Sequence, residues 1–169
     1  VLKDFLDELA SDSAAPGGGS VAALLGALSA ALSAMVANLT HGKKGFEHLA
    51  EEMNENATRA QLLKGSFVEA IDADTRAFNK ISEAKRMSKD SPEAKLARLS
   101  AIEAANQEAT LVPFGVLNAA LEAVVLAELV ASKGNPNTLS DAGVAGLACL
   151  AAGEAAYYNV LINLPTIED

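Results

Sequence analysis

A chain of 169 residues suits one domain with a sizeable core and is short for two. Acidic residues outnumber basic ones 22 to 13, a net charge of −9, which excludes a general nucleic-acid binder because that class displaces counterions with basic patches. Half of the residues are apolar but only 4% are aromatic; 35 alanines and 23 leucines favour helix over sheet, so the expected fold is all-α, an up-and-down bundle of long helices.

In chain order, Leu2, Phe5, Leu6 and Leu9 recur at helical spacing and predict a short amphipathic helix over 2–10. Residues 11–19 break it. Ser20 stands where an N-cap belongs, and 21–39 carries no charge, a length that approaches a membrane span. Leu24, Leu28, Leu32, Met35 and Leu39 form one stripe of this helix, while Gly26, Ala30, Ala34 and Ala37 form a small-residue face suited to close helix contact. No second uncharged stretch is as long, and Glu122, Glu128 and Glu154 interrupt the later apolar helices, so no membrane association is expected. The uncharged helix is instead expected to be covered by its neighbours or by a second subunit, with a homodimer built on this surface.

A heptad seam of Phe46, Leu49, Met53, Ala60, Leu63, Phe67, Ala70, Ala77 and Ile81 predicts one long helix over 46–86. Asn56 and Asp74 fall on that seam, whereas Asp72 falls off it into solvent. Ser91-Pro92-Glu93 reads as cap, first-turn proline and first-turn acid, and Pro113 lies within the helix that follows, where it should kink or divide it. That helix ends at Lys133-Gly134. Ser140 is the expected cap of the last helix, with Leu139 and Val144 as a hydrophobic staple, and that helix runs to about 163. No repeat or long linker divides residues 1–169.

Four groups of residues are candidates for chemistry. Pro16 to Ser20 leads into a helix, so its amides suit an anion or a polar ring, although it lacks the lysine and hydroxyl residue of a nucleotide loop; the alternative is a plain connector. Desolvation on an apolar seam disfavours an ionised carboxylate and moves it toward proton transfer at neutral pH, which singles out Asp74; the alternative is a core acid paired with a cation as a register device. Lys43 and Lys44 follow the uncharged helix and suit an anionic ligand, or compensate the helix end. Asn135, Asn137, Ser140 and Asp141 cluster before the last helix, where a turn and cap already account for them, since Asn, Asp and Ser are the usual turn and cap residues, and Asn38 and Thr40 are polar groups in need of partners. His41 and His48 lack zinc-helix spacing, a His48–Glu52 pair is a poor metal site, and no Ser/His/Asp triad assembles. Cys149 is the one cysteine and reads as a small core residue of a reducing, cytoplasmic compartment. No secretory signal pattern is present in the sequence.

Pro16 to Ala23, Met35 to Thr40 with Gly42-Lys43-Lys44, Asp72-Ala73-Asp74 through Phe78, Gly134 to Asn137 with Ser140 to Val144, and Asn159 to Asn163 together resemble the cyclodeaminase/cyclohydrolase family of folate enzymes. The resemblance covers almost the whole chain. It implies a helical subunit that dimerises, folate sites near the dimer interface, and a reaction at the one-carbon unit between N5 and N10 of tetrahydrofolate, with the folate as substrate and neither a separate cofactor nor a metal. It further implies that Asp74 is the acid/base; that Lys43 and Lys44 meet an anionic tail or hold the acid ionised; and that Gly17, Gly18, Gly19, Ser20, Asn38, Thr40, Asn135, Asn137, Ser140 and Asp141 line the ligand. Gly45 to His48 looks closer to the cyclodeaminase branch, which releases ammonia from 5-formiminotetrahydrofolate; the alternatives are a methenyltetrahydrofolate cyclohydrolase and a non-catalytic folate-binding or scaffold subunit. A formiminotransferase, fused or separate, is the implied partner. Two departures stand out: relatives continue with a further helix after the Asn159 to Asn163 region, and Lys85 to Lys89 replaces a more apolar stretch.

Overall fold

The computed structural model describes residues 2–167. Helix α1 (Leu2–Leu9) is short and buries no residue, and the remaining helices are α2 (Gly18–Thr40), α3 (Ala50–Arg86), α4 (Pro92–Lys133) and α5 (Leu139–Asn163). No strand occurs among the described residues. Short links force consecutive long helices to run antiparallel, and each packs on the next, with α5 closing back onto α2. Helix α2 also reaches α4 across the middle of this four-helix ring.

That central place explains the small-residue face. Ala30, Ala34 and Ala37 are buried, and Gly26 lies against the ring of Phe67, where a Cβ would overlap the ring carbons. The small-residue face is therefore used within the chain. The stripe that remains outside is Leu28, Met35 and Leu39. The core around Phe67, Leu63, Leu126, Val116 and Cys149 is otherwise largely alanine, which lets the helices approach closely. Asn56, on the seam, is buried and its Nδ2 donates to the Leu126 carbonyl (3.3 Å), so it ties α3 to α4. Asp72 is exposed, as its off-seam position predicts.

Three cross-links set the register of α3 against α4: Glu52 with Lys133, Arg59 with Glu122 at 2.9 Å and Lys80 with Glu108 at 2.7 Å. Partly exposed, they add little stability, about 0–1 kcal/mol each. With 37 and 42 residues, α3 and α4 extend beyond the 23 residues of α2 and form a projecting hairpin. By length and composition Gly18–Thr40, Pro92–Lys133 and Pro136–Thr166 are apolar enough to cross a membrane. In this bundle, however, α3 lies alongside with Glu51, Glu55, Arg59, Glu69, Arg76 and Lys80 exposed, and lipid around it would have to take those charges.

Several helix boundaries differ from the sequence reading. Gly17, not Ser20, occupies the N-cap of α2, because the Ser20 hydroxyl is directed to α3 instead. Residues 46–49 form a cap and a 3-10 turn before α3 proper. Pro113 does not divide α4, which is continuous from Pro92 to Lys133 and capped by the Ser91 hydroxyl accepting the Ala94 amide at 3.1 Å. Thr138 rather than Ser140 precedes α5, so Leu139 lies inside the helix, and both Leu139 and Val144 are exposed rather than stapled.

Candidate active site

Helix α2 starts where the Gly17 to Ser20 segment meets the middle of α3. Ser20 is fully buried and its hydroxyl donates to Asp74 Oδ2 (2.8 Å), with the Ile71 carbonyl also in reach at 3.2 Å. The carboxylate of Asp74 occupies the space that a side chain at residue 19 would need, so only glycine allows α2 to begin against it. A carboxylate at this end faces the positive pole of the helix and its free first-turn amides. No cation pairs with Asp74 among the described residues, so the register-device alternative is not what the structure holds.

A cavity of about 200 Å³ opens beside Asp74, lined by Ala14, Ala15, Gly17 to Gly19, Phe78, Ile81, Ala109, Asn159 and Asn163. It is smaller than a typical ligand pocket of ~300 Å³ or more, so it suits one ring system rather than an entire folate-sized molecule. A polar groove of about 460 Å³ continues from it, sharing Ala14, Ala15 and Phe78 and extending along Asn79, Ser82 and Glu83 to Arg86. Larger apolar hollows between α3 and α4 (Ser66, Phe67, Leu111, Gly115) and between α4 and α5 (Leu117, Leu121, Tyr157) hold no comparable acid beside free amides.

The other sequence candidates sit elsewhere. Thr40 is buried at the C-terminal end of α2, where its Oγ1 accepts the Asn135 amide at 2.9 Å and its hydroxyl donates to the Val36 carbonyl at 2.8 Å. Asn135 Oδ1 in turn accepts from Lys43 Nζ (2.6 Å) and from the Asn137 amide (3.1 Å), and Lys43 lies 5.9 Å from the Phe46 ring centroid. Asn38, Lys44, Asn137 and Ser140 are exposed nearby, and Asp141 is half-buried in the first turn of α5. Since α2 has 23 residues, this cluster and Asp74 are separated by about 33 Å of helix. Within one protomer, the structure joins Gly17, Gly18, Gly19, Ser20 and Asp74, and keeps Asn38, Thr40, Lys43, Lys44, Asn135, Asn137, Ser140 and Asp141 at the opposite end.

Sequence reasoning gave no site role to Phe78, Asn79, Arg86, Asn159 or Asn163. A signal existed for the first three, which lie on the same helix as Asp74 and within twelve residues of it. Nothing local marks the asparagines as neighbours of Asp74. Of the titratable groups, burial pushes the Cys149 thiol above its ordinary range, and a Ser29 hydrogen bond partly opposes this. Local backbone bonds lower Glu47 and Glu93, with the Gly45 amide and the Ser91 hydroxyl assisting respectively. Among the described residues, no group of three or more His, Cys, Asp or Glu could hold a metal ion.

The described residues form an all-helical bundle with a carboxylate set over a glycine-rich helix start. A sequence profile of the formiminotransferase-cyclodeaminase family matches residues 1–169, and the chain belongs to that family. It is 39% identical over 168 residues to the methenyltetrahydrofolate cyclohydrolase of Methylorubrum extorquens, covering 99% of this chain and 81% of that protein. It is 36% identical to the formimidoyltransferase-cyclodeaminase of Mus musculus, again over 99% of this chain but only 31% of that longer protein. The crystal structure of formiminotetrahydrofolate cyclodeaminase from Thermotoga maritima superposes with a TM-score of 0.89 at 32% identity, covering all of this chain and 80% of that one.

Proposed function

We propose that this chain is a formimidoyltetrahydrofolate cyclodeaminase that converts 5-formiminotetrahydrofolate to 5,10-methenyltetrahydrofolate and ammonia. The observation that carries the reading is Asp74, held by Ser20 at the mouth of a ring-sized cavity in a chain of this family. In the reaction N10 attacks the formimino carbon, a tetrahedral carbon forms, and ammonia leaves as the ring closes. A carboxylate beside that carbon takes the proton from N10 and returns one to the departing nitrogen. Ser20 keeps Asp74 in place, and the cavity holds the pterin while the groove toward Arg86 takes the aminobenzoyl-glutamate tail. Arg86 is twelve residues along α3 from Asp74, about 18 Å, and is the cation of that groove. Lys43 and Lys44, about 33 Å away, are too distant to hold the same tail within one protomer.

A second reading, methenyltetrahydrofolate cyclohydrolase, is favoured by the 39% identity to the M. extorquens protein over most of its length. Water then attacks the methenyl carbon and the ring opens, with Asp74 activating the water. Incubating the protein with 5-formiminotetrahydrofolate and following methenyl absorbance and ammonia tests the first reading: both should rise together. Consumption of methenyltetrahydrofolate above its spontaneous rate, without turnover of the formimino compound, selects the second. Inactivity toward both, with tetrahydrofolate still bound, leaves the non-catalytic folate-binding or scaffold subunit. We further propose a cytoplasmic homodimer, with the apolar groove of Leu117, Leu121, Val124, Leu150 and Tyr157 between α4 and α5 as its contact, a formiminotransferase as fused or separate partner, and neither cofactor, metal, nucleic acid nor membrane required.

A further inference from the structure

Pro113 stands inside α4, and because its nitrogen carries no proton the Ala109 carbonyl loses its helical donor. The missing donor comes from α5: Asn163 Nδ2 reaches the Ala109 carbonyl at 2.8 Å. One turn earlier on the same face, Asn159 Nδ2 donates to the Ala155 carbonyl, also at 2.8 Å. A carbonyl can only accept, so in both side chains the nitrogen must face inward to the protein and Oδ1 points away. Both asparagines are half-buried and line the Asp74 cavity, and neither Oδ1 accepts a hydrogen bond from the described residues.

Relief of an orphaned carbonyl accounts for Asn163 but not for Asn159. The Ala155 carbonyl already receives the amide of residue 159 through the helix itself, so the second bond satisfies nothing that needed a partner. Its effect is to fix the direction of an amide whose other end faces the cavity. Gly18 closes over the same side chain, since a Cβ there would stand 3.4 Å from Asn159 Nδ2. Two pinned amide oxygens side by side on the α5 wall of the cavity make an acceptor pair separate from Asp74, which serves the reacting carbon. The complementary ligand edge is one that presents several N–H donors side by side.

We propose that Asn159 and Asn163 recognise the 2-amino and N3–H donor edge of the pterin ring, with Pro113 as the device that sets the direction of Asn163. This rests on the folate reading above and names which part of the folate the cavity takes. A site built to accept such donors rejects an analogue that lacks one, because its acceptors are left unpaired. The test is equilibrium titration with tetrahydrofolate and with its 2-desamino analogue.

The wild-type protein should bind tetrahydrofolate roughly 10- to 100-fold more tightly than the analogue, the effect of one or two hydrogen bonds. Asn159→Ala should bind the two ligands within about threefold of each other. Asn163→Ala also orphans the Ala109 carbonyl, so it is paired with Pro113→Ala, which restores the in-helix donor. That double variant should melt close to wild type and still fail to discriminate. Discrimination retained in both variants overturns this proposal while leaving the folate reading intact. A wild-type protein that binds neither ligand overturns both.

Discussion

The triple glycine before α2 offers a graded test, because neighbouring positions meet different atoms. At Gly19 an added Cβ would overlap the Asp74 carboxylate, with Oδ2 only 2.9 Å away, whereas at Gly18 the nearest atom is Asn159 Nδ2 at 3.4 Å. Gly19→Ala must therefore push Asp74 off Ser20, and the lost charge-assisted hydrogen bond costs about 1.5–3 kcal/mol. Replacing glycine within a helix returns up to about 1 kcal/mol, so the net destabilisation is about 0.5–3 kcal/mol. A domain of 150–250 residues loses about 2–4 °C in Tm per kcal/mol, so the variant should stay folded at 25 °C. Its turnover should nevertheless fall by roughly 10² or more, since the acid/base has moved from the reacting carbon. Gly18→Ala, in near-ordinary contact, should lose far less, within about tenfold in kcat/KM. Thermal melts with steady-state kinetics on both variants decide the matter. A folded Gly19→Ala protein with wild-type kcat would refute the placement of Asp74 in the chemistry.

Three further outcomes are expected. Because burial raises the Cys149 thiol, its contribution to stability is fully present below the unfolded thiol's pKa, about 8.5, and is lost as pH rises toward the folded value. The Tm difference between wild type and Cys149→Ala should narrow from pH 7 to pH 9.5, and a difference that widens would contradict the sign. Arg86→Ala should raise KM about tenfold with kcat nearly unchanged, since a tail contact is equal in ground and transition states, and Lys44→Ala should change neither. The reverse pattern would show that the tail belongs to the lysine end. Sedimentation should give a dimer at micromolar concentration that Leu121→Asp dissociates; a compact wild-type monomer would refute the α4–α5 contact.

Local pattern made much of the bundle legible. The alternating steps of three and four from Met53 to Ile81, the Ser91-Pro92 start and the Gly134 stop all correspond to real helices. Asp74 was legible for the same reason, as a polar break in an apolar seam, and the glycines because three in a row before a helix need a cause. That Pro113 leaves α4 undivided is not legible locally, because the group that reaches its orphaned carbonyl, Asn163, lies 50 residues further on, and no helical periodicity encodes such a contact. Within the chain the candidate residues fall at two ends of α2, for a different reason. Motifs that share a family resemblance need not share a location, and the 23 residues between Gly18 and Thr40 already imply about 33 Å of separation. A small-residue face serves an internal contact as well as an external one, and the Phe67 ring against Gly26 uses this face internally, while Leu28, Met35 and Leu39 of the same helix stay exposed.

The most direct test of the central claim is Asp74→Asn, assayed on 5-formiminotetrahydrofolate and on methenyltetrahydrofolate, with melting temperature and tetrahydrofolate affinity measured on the same preparation. Asparagine keeps the size of the side chain and an acceptor for the Ser20 hydroxyl but cannot take up and return a proton in this role. The variant should fold, bind tetrahydrofolate and lose roughly 10²- to 10⁴-fold in kcat. A variant that folds, binds and turns over at the wild-type rate would contradict that claim.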